Sequence, residues 1–220
     1  MGREIDILQF YPKSQRPIDE RGSQITEQDR AIARKFDEEY FDGERLTGYG
    51  GYNYHPRFWT ETVSFMKEVY GLNDSSRVLD VGCAKGFMMH DLSLIIPQAE
   101  IVGVDISSYA KEHAIETMKD NIYIASANNL PFEDDYFDLV IAINSLHNLP
   151  LIDCKEAFRE IDRVGKGDAF VMNDAWKDES GKEAMLKWNL TALTYMSTEE
   201  WKKLFEEVSY IGDYYWFFAL

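Results

Sequence analysis

The residues best suited to chemistry fall around one glycine turn and three later strand ends. The run Arg77-Val78-Leu79-Asp80-Val81-Gly82-Cys83-Ala84-Lys85-Gly86-Phe87 reads as a buried strand, a turn of small residues and the opening of a helix that continues through Met88, Met89 and Leu92. Such a turn brings bare backbone N–H groups close to a ligand, and the helix end adds positive potential. A second acid, Asp105, ends the run Gly103-Val104-Asp105-Ile106-Ser107. A carboxylate there accepts hydrogen bonds from both hydroxyls of a ribose. His147 follows a later strand and is the candidate general base, needed only where a nucleophile still holds its proton. Asp174 and Trp176 follow the next strand, where Asp174 is placed to hold a cationic group.

Alternating strands and helices must position these groups. Expected strands are Arg77–Val81, Glu100–Ile106, Asn121–Ala125, Phe137–Asn144 and Asp168–Asp174. Expected helices run near Gly86–Ile95, Tyr109–Lys119, Asp153–Val164 and Thr198–Val208. That alternation predicts an α/β fold, a doubly wound, mostly parallel sheet with helices on both faces. Residues 186–196 read as either helix or loop, and Tyr214–Phe218 as one aromatic strand.

Ahead of the sheet the pattern predicts a helical and loop cap. Residues 1–24, punctuated by Pro12, Pro17 and Gly22, read as irregular, with Phe10 and Tyr11 as anchors. Thr26 caps a helix expected over Glu27–Tyr40. A second helix is expected from Pro56 to Gly71. Between them lies Tyr49-Gly50-Gly51-Tyr52-Asn53-Tyr54-His55, which reads as a ligand lid or as an ordered surface loop. The chain is thus expected to form one domain, with a cap and lid over 1–75 and a cofactor-binding core over 76–220.

The glycine turn does not suit a dinucleotide. Gly-x-Gly-x-x-Gly fails at Ala84 and Phe87. The pattern Asp80-x-Gly82-x-Ala84-x-Gly86 instead resembles the first motif of the class I S-adenosylmethionine-dependent methyltransferases, with Ala84 in place of the middle glycine. The segment Ala125-Ser126-Ala127-Asn128-Asn129-Leu130-Pro131-Phe132 resembles that family's adenine-side segment, with Ser126 in place of its acid. Ile143-Asn144-Ser145-Leu146-His147-Asn148-Leu149 is similar to the end of its fourth strand. The resemblance covers residues 77–150. It implies a Rossmann-like methyltransferase fold with S-adenosyl-L-methionine as cofactor. It also implies a cofactor site of Tyr49, Asp80, Gly82, Cys83, Ala84, Gly86, Phe87, Asp105, Ile106, Ser107, Ala127, Asn128 and Asn144. Asp80 either stabilises the turn or orients the cofactor's amino group, and Cys83 reads as a small packing residue. Where that family ends its sheet with an antiparallel hairpin, this chain is expected to have a shortened one, or one partly supplied by 186–196.

Tyr52, Tyr54, His55, Asn148, Asp174, Trp176 and Asn189 are the expected substrate contacts, a polar and aromatic set that suits a small polar molecule. Tyr49-Gly50-Gly51-Tyr52, the 82–87 turn and Gly212-Asp213-Tyr214-Tyr215-Trp216 resemble methyltransferases of thiohistidine (ovothiol-type) biosynthesis, which implies N-methylation of an imidazole amino acid. O-methylation of a sugar or other polar metabolite, and a non-catalytic S-adenosylmethionine-binding module, stand as alternatives.

Composition sets the outer limits. The 220 residues are 45% hydrophobic and 28% charged, enough for one α/β domain with a full core. Asp and Glu number 39 against 23 Lys and Arg, a formal net charge of −16. Such a surface argues against nucleic acid or anionic lipid as partner and leaves a small-molecule methyl acceptor. Met1-Gly2 opens like a myristoylation signal, but Asp6 stands where Ser or Thr is needed. No apolar run spans a bilayer. Two cysteines without metal or redox spacing, Cys83 and Cys154, fit free thiols in a reducing cytoplasm. No cluster suggests a metal site.

Overall fold

The computed structural model describes residues 2–13 and 18–219. Pro17 and the Met1 of the myristoylation-like start lie outside the described residues. The cap opens with α1 (Ile18–Gly22), α2 (Glu27–Ala33), α3 (Glu38–Phe41) and α4 (Thr60–Tyr70). The core follows as β1 (Arg77–Val81), α5 (Phe87–Ile95), β2 (Glu100–Asp105), α6 (Ser108–Glu112), β3 (Ile122–Ile124), β4 (Phe137–Ile143), α7 (Leu151–Val164), β5 (Gly165–Asp174), α8 (Glu179–Trp188), α9 (Thr198–Glu207) and β6 (Asp213–Phe217).

The strands join in the order β3-β2-β1-β4-β5-β6, and every pair is parallel. The central strands β1, β2 and β4 are buried on both faces, so their sequences are near-continuous Val/Ile/Leu runs rather than alternations. On one face Phe158, Ile161, Trp201 and Phe205 of α7 and α9 pack on Leu79, Val140 and Val171. On the other, Val63, Met66, Met89 and Leu92 of α4 and α5 pack on Val78, Leu139, Ile141 and Phe170. This doubly wound arrangement leaves the carboxyl ends of the strands as the place for a ligand.

Several expectations change. The single helix over 27–40 is two. Phe36 adopts a left-handed φ of 51°, and Asp37 then caps α3 with its side chain. Local acid and hydroxyl chemistry restarts the helix once the first has been broken. Residues 18–22, expected irregular, form α1. The helix after β2 ends at Glu112, and the chain then turns so that Ile115 N–H donates to Lys85 O at 2.9 Å. The 186–196 segment splits: α8 runs to Trp188, and the rest is irregular chain.

The antiparallel hairpin is absent among the described residues. β6 lies beside β5 in parallel, with Phe170 opposite Asp213 and Asp174 opposite Phe217. The far edge of β6 is covered instead by the start of the chain. Glu4 bridges Tyr214, Tyr214 N–H donates to Arg3 O and Ile5 N–H to Tyr214 O, each at 3.0 Å. Arg3 also forks onto Asp213, its Nη2 at 2.7 Å from Oδ2. Phe10 and Tyr11 anchor this arm as expected, Phe10 edge-on to Phe65 and Tyr11 against Phe58 and Trp59.

Candidate functional site

The glycine turn is built where β1 ends. Gly82 and Cys83 both donate their N–H to Val104 O, at 2.8 and 3.0 Å, which binds the turn to β2. Gly82 sits at φ 86°, and an added Cβ would lie 2.4 Å from Ser145 Cβ. Only glycine accommodates both constraints. Ser145 in turn donates its hydroxyl to Val81 O at 2.7 Å. Ala84 takes a left-handed φ of 49°, and Gly86 caps α5 at φ 75°. Cys83 is buried, and burial pushes its thiol well above the ordinary range, so it packs rather than reacts. Cys154 is buried as well, and both thiols are free.

Two acids face this turn. Asp105 accepts Ala84 N–H on Oδ2 at 2.8 Å and Ser107 N–H on Oδ1 at 2.9 Å. Those bonds fix the carboxylate and leave lone pairs for a diol. Burial raises its carboxyl pKa against these N–H bonds. Asp80 is 6% exposed, and no hydrogen bond to its carboxyl is found among the described residues. Burial first, and then the charge of Asp105, push its pKa up to about 8. Ser107 caps α6 and donates its hydroxyl to Phe36 O. Ile106 is exposed beside it, and Phe87 lies buried under the lid. Ala127 is half-buried against the core, and Asn128 turns its amide to Asp153 at 3.0 Å.

A second group gathers at the ends of β4 and β5. Asn144 is left-handed at φ 52°. Its Oδ1 and the Oδ1 of Asn148 are buried without a partner. His147 is 2% exposed. Its Nδ1 accepts Asp174 N–H at 3.2 Å, so the neutral ring carries its proton on Nε2, which faces Asp174 Oδ2 at 3.8 Å. Asn189 donates its amide to Asp174 Oδ2 and accepts Thr191 and Ala192 N–H on Oδ1. Trp176 is drawn elsewhere: it bridges Ser197 and accepts Thr198 N–H, starting α9.

Residues 42–52 pack over the glycine turn. Lys85, inside the turn, is buried and points up into residues 42–52: its Nζ lies 2.6 Å from Asp42 Oδ2 and 3.0 Å from Tyr52 O. Asp42 also accepts Tyr52 N–H at 3.0 Å and the Tyr109 hydroxyl at 2.8 Å. Tyr52 stacks on Phe87 with centroids 4.9 Å apart, and Tyr49 on Tyr52 at 4.5 Å. Tyr49 keeps 41% of its surface, yet burial of its hydroxyl and the charges of Asp105 and Asp174 push its pKa up. Tyr54 and His55 are directed elsewhere. The Tyr54 hydroxyl is committed to Asp91 on α5, and His55 lies exposed with Nδ1 accepting Arg57 N–H.

Two other concavities stand apart. A cavity of about 330 Å³ lined by Arg77, Asp138, Lys166 and Asp168 opens at the amino ends of the strands, the wrong edge for a ligand of this fold. One of about 550 Å³ lies past Ala175 and Phe218, beside α8. No group of three or more metal-ligating side chains is found among the described residues. No described helix is long and apolar enough to cross a membrane.

The crevice suits S-adenosylmethionine. Asp80 brings a buried carboxyl with no hydrogen bond found among the described residues, and Asp105 a carboxylate pinned by two N–H groups. A doubly wound sheet with a glycine turn after its first strand and an acid closing its second defines a nucleotide-cofactor domain. Residues 72–218 match the family described as a methyltransferase domain, and the chain belongs to that family. S-adenosylmethionine is the cofactor this membership implies.

Relatives include a malonyl-acyl-carrier-protein O-methyltransferase of Legionella pneumophila, 31% identical over 62% of this chain and 47% of the relative. A demethylmenaquinone methyltransferase of Staphylococcus aureus is 30% identical over 64% and 55%. A tRNA (carboxymethyluridine(34)-5-O)-methyltransferase of Arabidopsis thaliana is 30% identical over 65% and 33%. The chain thus spans from about a third to just over half of these curated relatives. Among solved structures, YcgJ of Bacillus subtilis superposes with a TM-score of 0.54, at 23% identity over 66% of each chain. The MccD protein superposes at 0.55, with 23% identity over 67% and 69%. Both likenesses bear on the fold alone.

Sequence reasoning missed Lys85 and Asp42 as groups that meet over the glycine turn. That pairing joins residues far apart in the chain.

Proposed function

We propose that this protein transfers a methyl group to a small polar acceptor, with an imidazole amino acid of the thiohistidine kind as the favoured one. The observation that carries the reading is the pair of buried, unpartnered amide oxygens of Asn144 and Asn148 at the end of β4. Such atoms cost stability unless a ligand donor meets them. A ring N–H is such a donor.

When bound, S-adenosylmethionine supplies an electrophilic methyl group on a sulfonium. The rest is done by this chain's own residues. Asp80 holds the ammonium end and Asp105 the ribose. Tyr49 and Tyr52, held down by Lys85, exclude water from the crevice. Asn144 and Asn148 accept the acceptor's N–H, which fixes the ring so that its other nitrogen presents a lone pair in line with the methyl group. A neutral imidazole nitrogen has that lone pair already, so no strong base is needed. The bonding of His147 supports a positioning part: its lone pair is taken by Asp174 N–H, and its proton faces the Asp174 carboxylate. The net charge of −16 weighs against a tRNA acceptor such as the one in the Arabidopsis relative's name.

The test is incubation with S-adenosylmethionine and a panel of imidazole amino acids, sugars and phenols, read by mass. A gain of one methyl on an imidazole amino acid is expected. Methylation of sugars alone would move the reading to an O-methyltransferase. Tight binding of S-adenosylhomocysteine with no product across a broad panel would favour the non-catalytic module.

A further inference from the structure

The cap gathers cations in a chain that is otherwise strongly acidic. Burial first, and then the charges of Arg45 and Arg30, push the Arg21 guanidinium down to about 10, so these three lie within electrostatic reach of one another. Each has an evident structural task. Arg21 donates to Arg45 O at 3.1 Å and to Gly48 O at 3.4 Å. Arg30 donates to Leu186 O at 2.8 Å and to Asn189 O, and pairs with Glu27. Arg45 donates to Tyr49 O at 2.7 Å.

Arg34, at the end of α2, is only partly paired. Its Nε is buried without a hydrogen-bond partner, and no ion pair to it is found among the described residues. One turn earlier on the same face of α2, Arg30 donates to Asn189 O, which sets Arg34 over the loop after α8 beside the Tyr195 hydroxyl. Tyr195 reaches Asn189 Oδ1 at 3.4 Å, and Asn189 holds Asp174. Two residues beyond Arg34, Phe36 O accepts the Ser107 hydroxyl beside Asp105. Arg34 therefore stands at the end of α2 nearest Tyr195 and Asn189, the residue that holds Asp174 at the end of β5.

We propose that Arg34, together with the Tyr195 hydroxyl, anchors a carboxylate of the methyl acceptor. The proposal rests on the reading of this crevice as a small-molecule methyl-transfer site. A guanidinium with a buried, unpaired N–H is completed by a planar anion that takes two parallel hydrogen bonds. A carboxylate has that geometry with a single charge. A doubly charged phosphate would meet twice the repulsion from nearby Asp174. The donor's own carboxylate belongs with its ammonium near Asp80, on β1, whereas Arg34 lies beside Tyr195 in the loop after α8, one turn beyond Arg30, which is bonded to Asn189 O. The acceptor class is thus a carboxylic acid, an α-amino acid among them.

The experiment uses full-length protein saturated with S-adenosylhomocysteine and titrated calorimetrically with matched pairs: L-histidine and histamine, L-tyrosine and tyramine, glucuronate and glucose. In at least one pair the acid is expected to bind ten-fold or more tighter than its partner without the carboxylate. Arg34→Gln should abolish that preference, and Arg34→Lys should keep part of it, with S-adenosylhomocysteine affinity unchanged in both. Melting curves of the two variants within a few degrees of the parent exclude misfolding as the cause. A preference in the sugar or phenol pair alone would uphold Arg34 while removing the imidazole reading. The proposal falls if no pair shows an acid preference, or if the preference survives Arg34→Gln. It also falls if Arg34→Gln weakens S-adenosylhomocysteine to the same extent, which would assign the arginine to the donor.

Discussion

Lys85 Nζ and Asp42 Oδ2 lie 2.6 Å apart, joining the cofactor turn to the lid across 43 positions of sequence. The lysine side chain is 5% exposed and the aspartate 27%, so the pair is screened far less than a surface bridge. Removing one partner leaves a charge in poor solvent. Asp42→Asn and Lys85→Met are each expected to cost about 2 kcal/mol of stability, and to raise the KM for S-adenosylmethionine more than they lower kcat. Limited proteolysis should cut within residues 43–51 faster in both variants. Unchanged cleavage would mean that the pair does not hold the lid.

The same contact has a pH signature. Burial works to raise the Asp42 carboxyl, but Lys85, Tyr52 N–H and the Tyr109 hydroxyl together hold it below the ordinary carboxylate value. A folded pKa that is depressed contributes stability above the unfolded value, about 3.9, and loses it as pH falls through the folded one. Wild-type protein should therefore lose lid protection only in acid below about pH 4, whereas Asp42→Asn should show no such step. Hydrogen exchange of residues 42–52 against pH reads this directly.

Asp80 runs the opposite way. With its folded pKa near 8, the ligand-free protein binds an extra proton between the unfolded value, about 3.9, and 8. Its stability contribution is present at low pH and declines as pH rises through that window. An ammonium brought beside Asp80 favours the carboxylate, so binding of S-adenosylhomocysteine at pH 7 should release about one proton. Calorimetry in buffers of different ionisation enthalpy measures that release. Asp80→Asn should abolish it and weaken binding about ten-fold or more.

Asp105 tests the ribose assignment separately. Asp105→Ala removes the acceptor and also frees Ala84 and Ser107 N–H, so affinity for S-adenosylhomocysteine should fall by about ten- to a hundred-fold. Equal affinity for parent and variant would contradict the role.

For His147 the comparison of two replacements is decisive. Asn can still accept Asp174 N–H, and Ala cannot. His147→Asn is expected to retain kcat within about ten-fold, while His147→Ala loses both kcat and several degrees of Tm. Equal loss of kcat in both, with stability intact, would instead make the imidazole a proton acceptor.

What the sequence disclosed and withheld follows from the range of each interaction. Asp80, Gly82 and Asp105 were legible because each is set by its own neighbours: a strand, a turn that excludes Cβ, a strand end. The parallel core was legible from short apolar runs alternating with helical stretches. The break at Phe36 was not, since its carbonyl is stabilised by Ser107 on another element. Tyr54 looked like its neighbour Tyr52, and only the position of Asp91 on α5 separates them. Arg34 carries no motif, and its place is set by the packing of α2 on residues 186–189. The parallel pairing of β6 likewise depends on which edge the first residues occupy.

That edge has a consequence for handling the protein. An uncovered parallel edge strand is a template for another chain, and aromatic Tyr214-Tyr215-Trp216-Phe217 would be a strong one. Arg3 O and Ile5 N–H take the N–H and carbonyl of Tyr214 on that edge, and the Arg3 fork fastens the arm to Asp213. Tags or truncations that disturb residues 2–7 should be judged first by whether the protein remains dispersed, before any loss of activity is credited to the crevice.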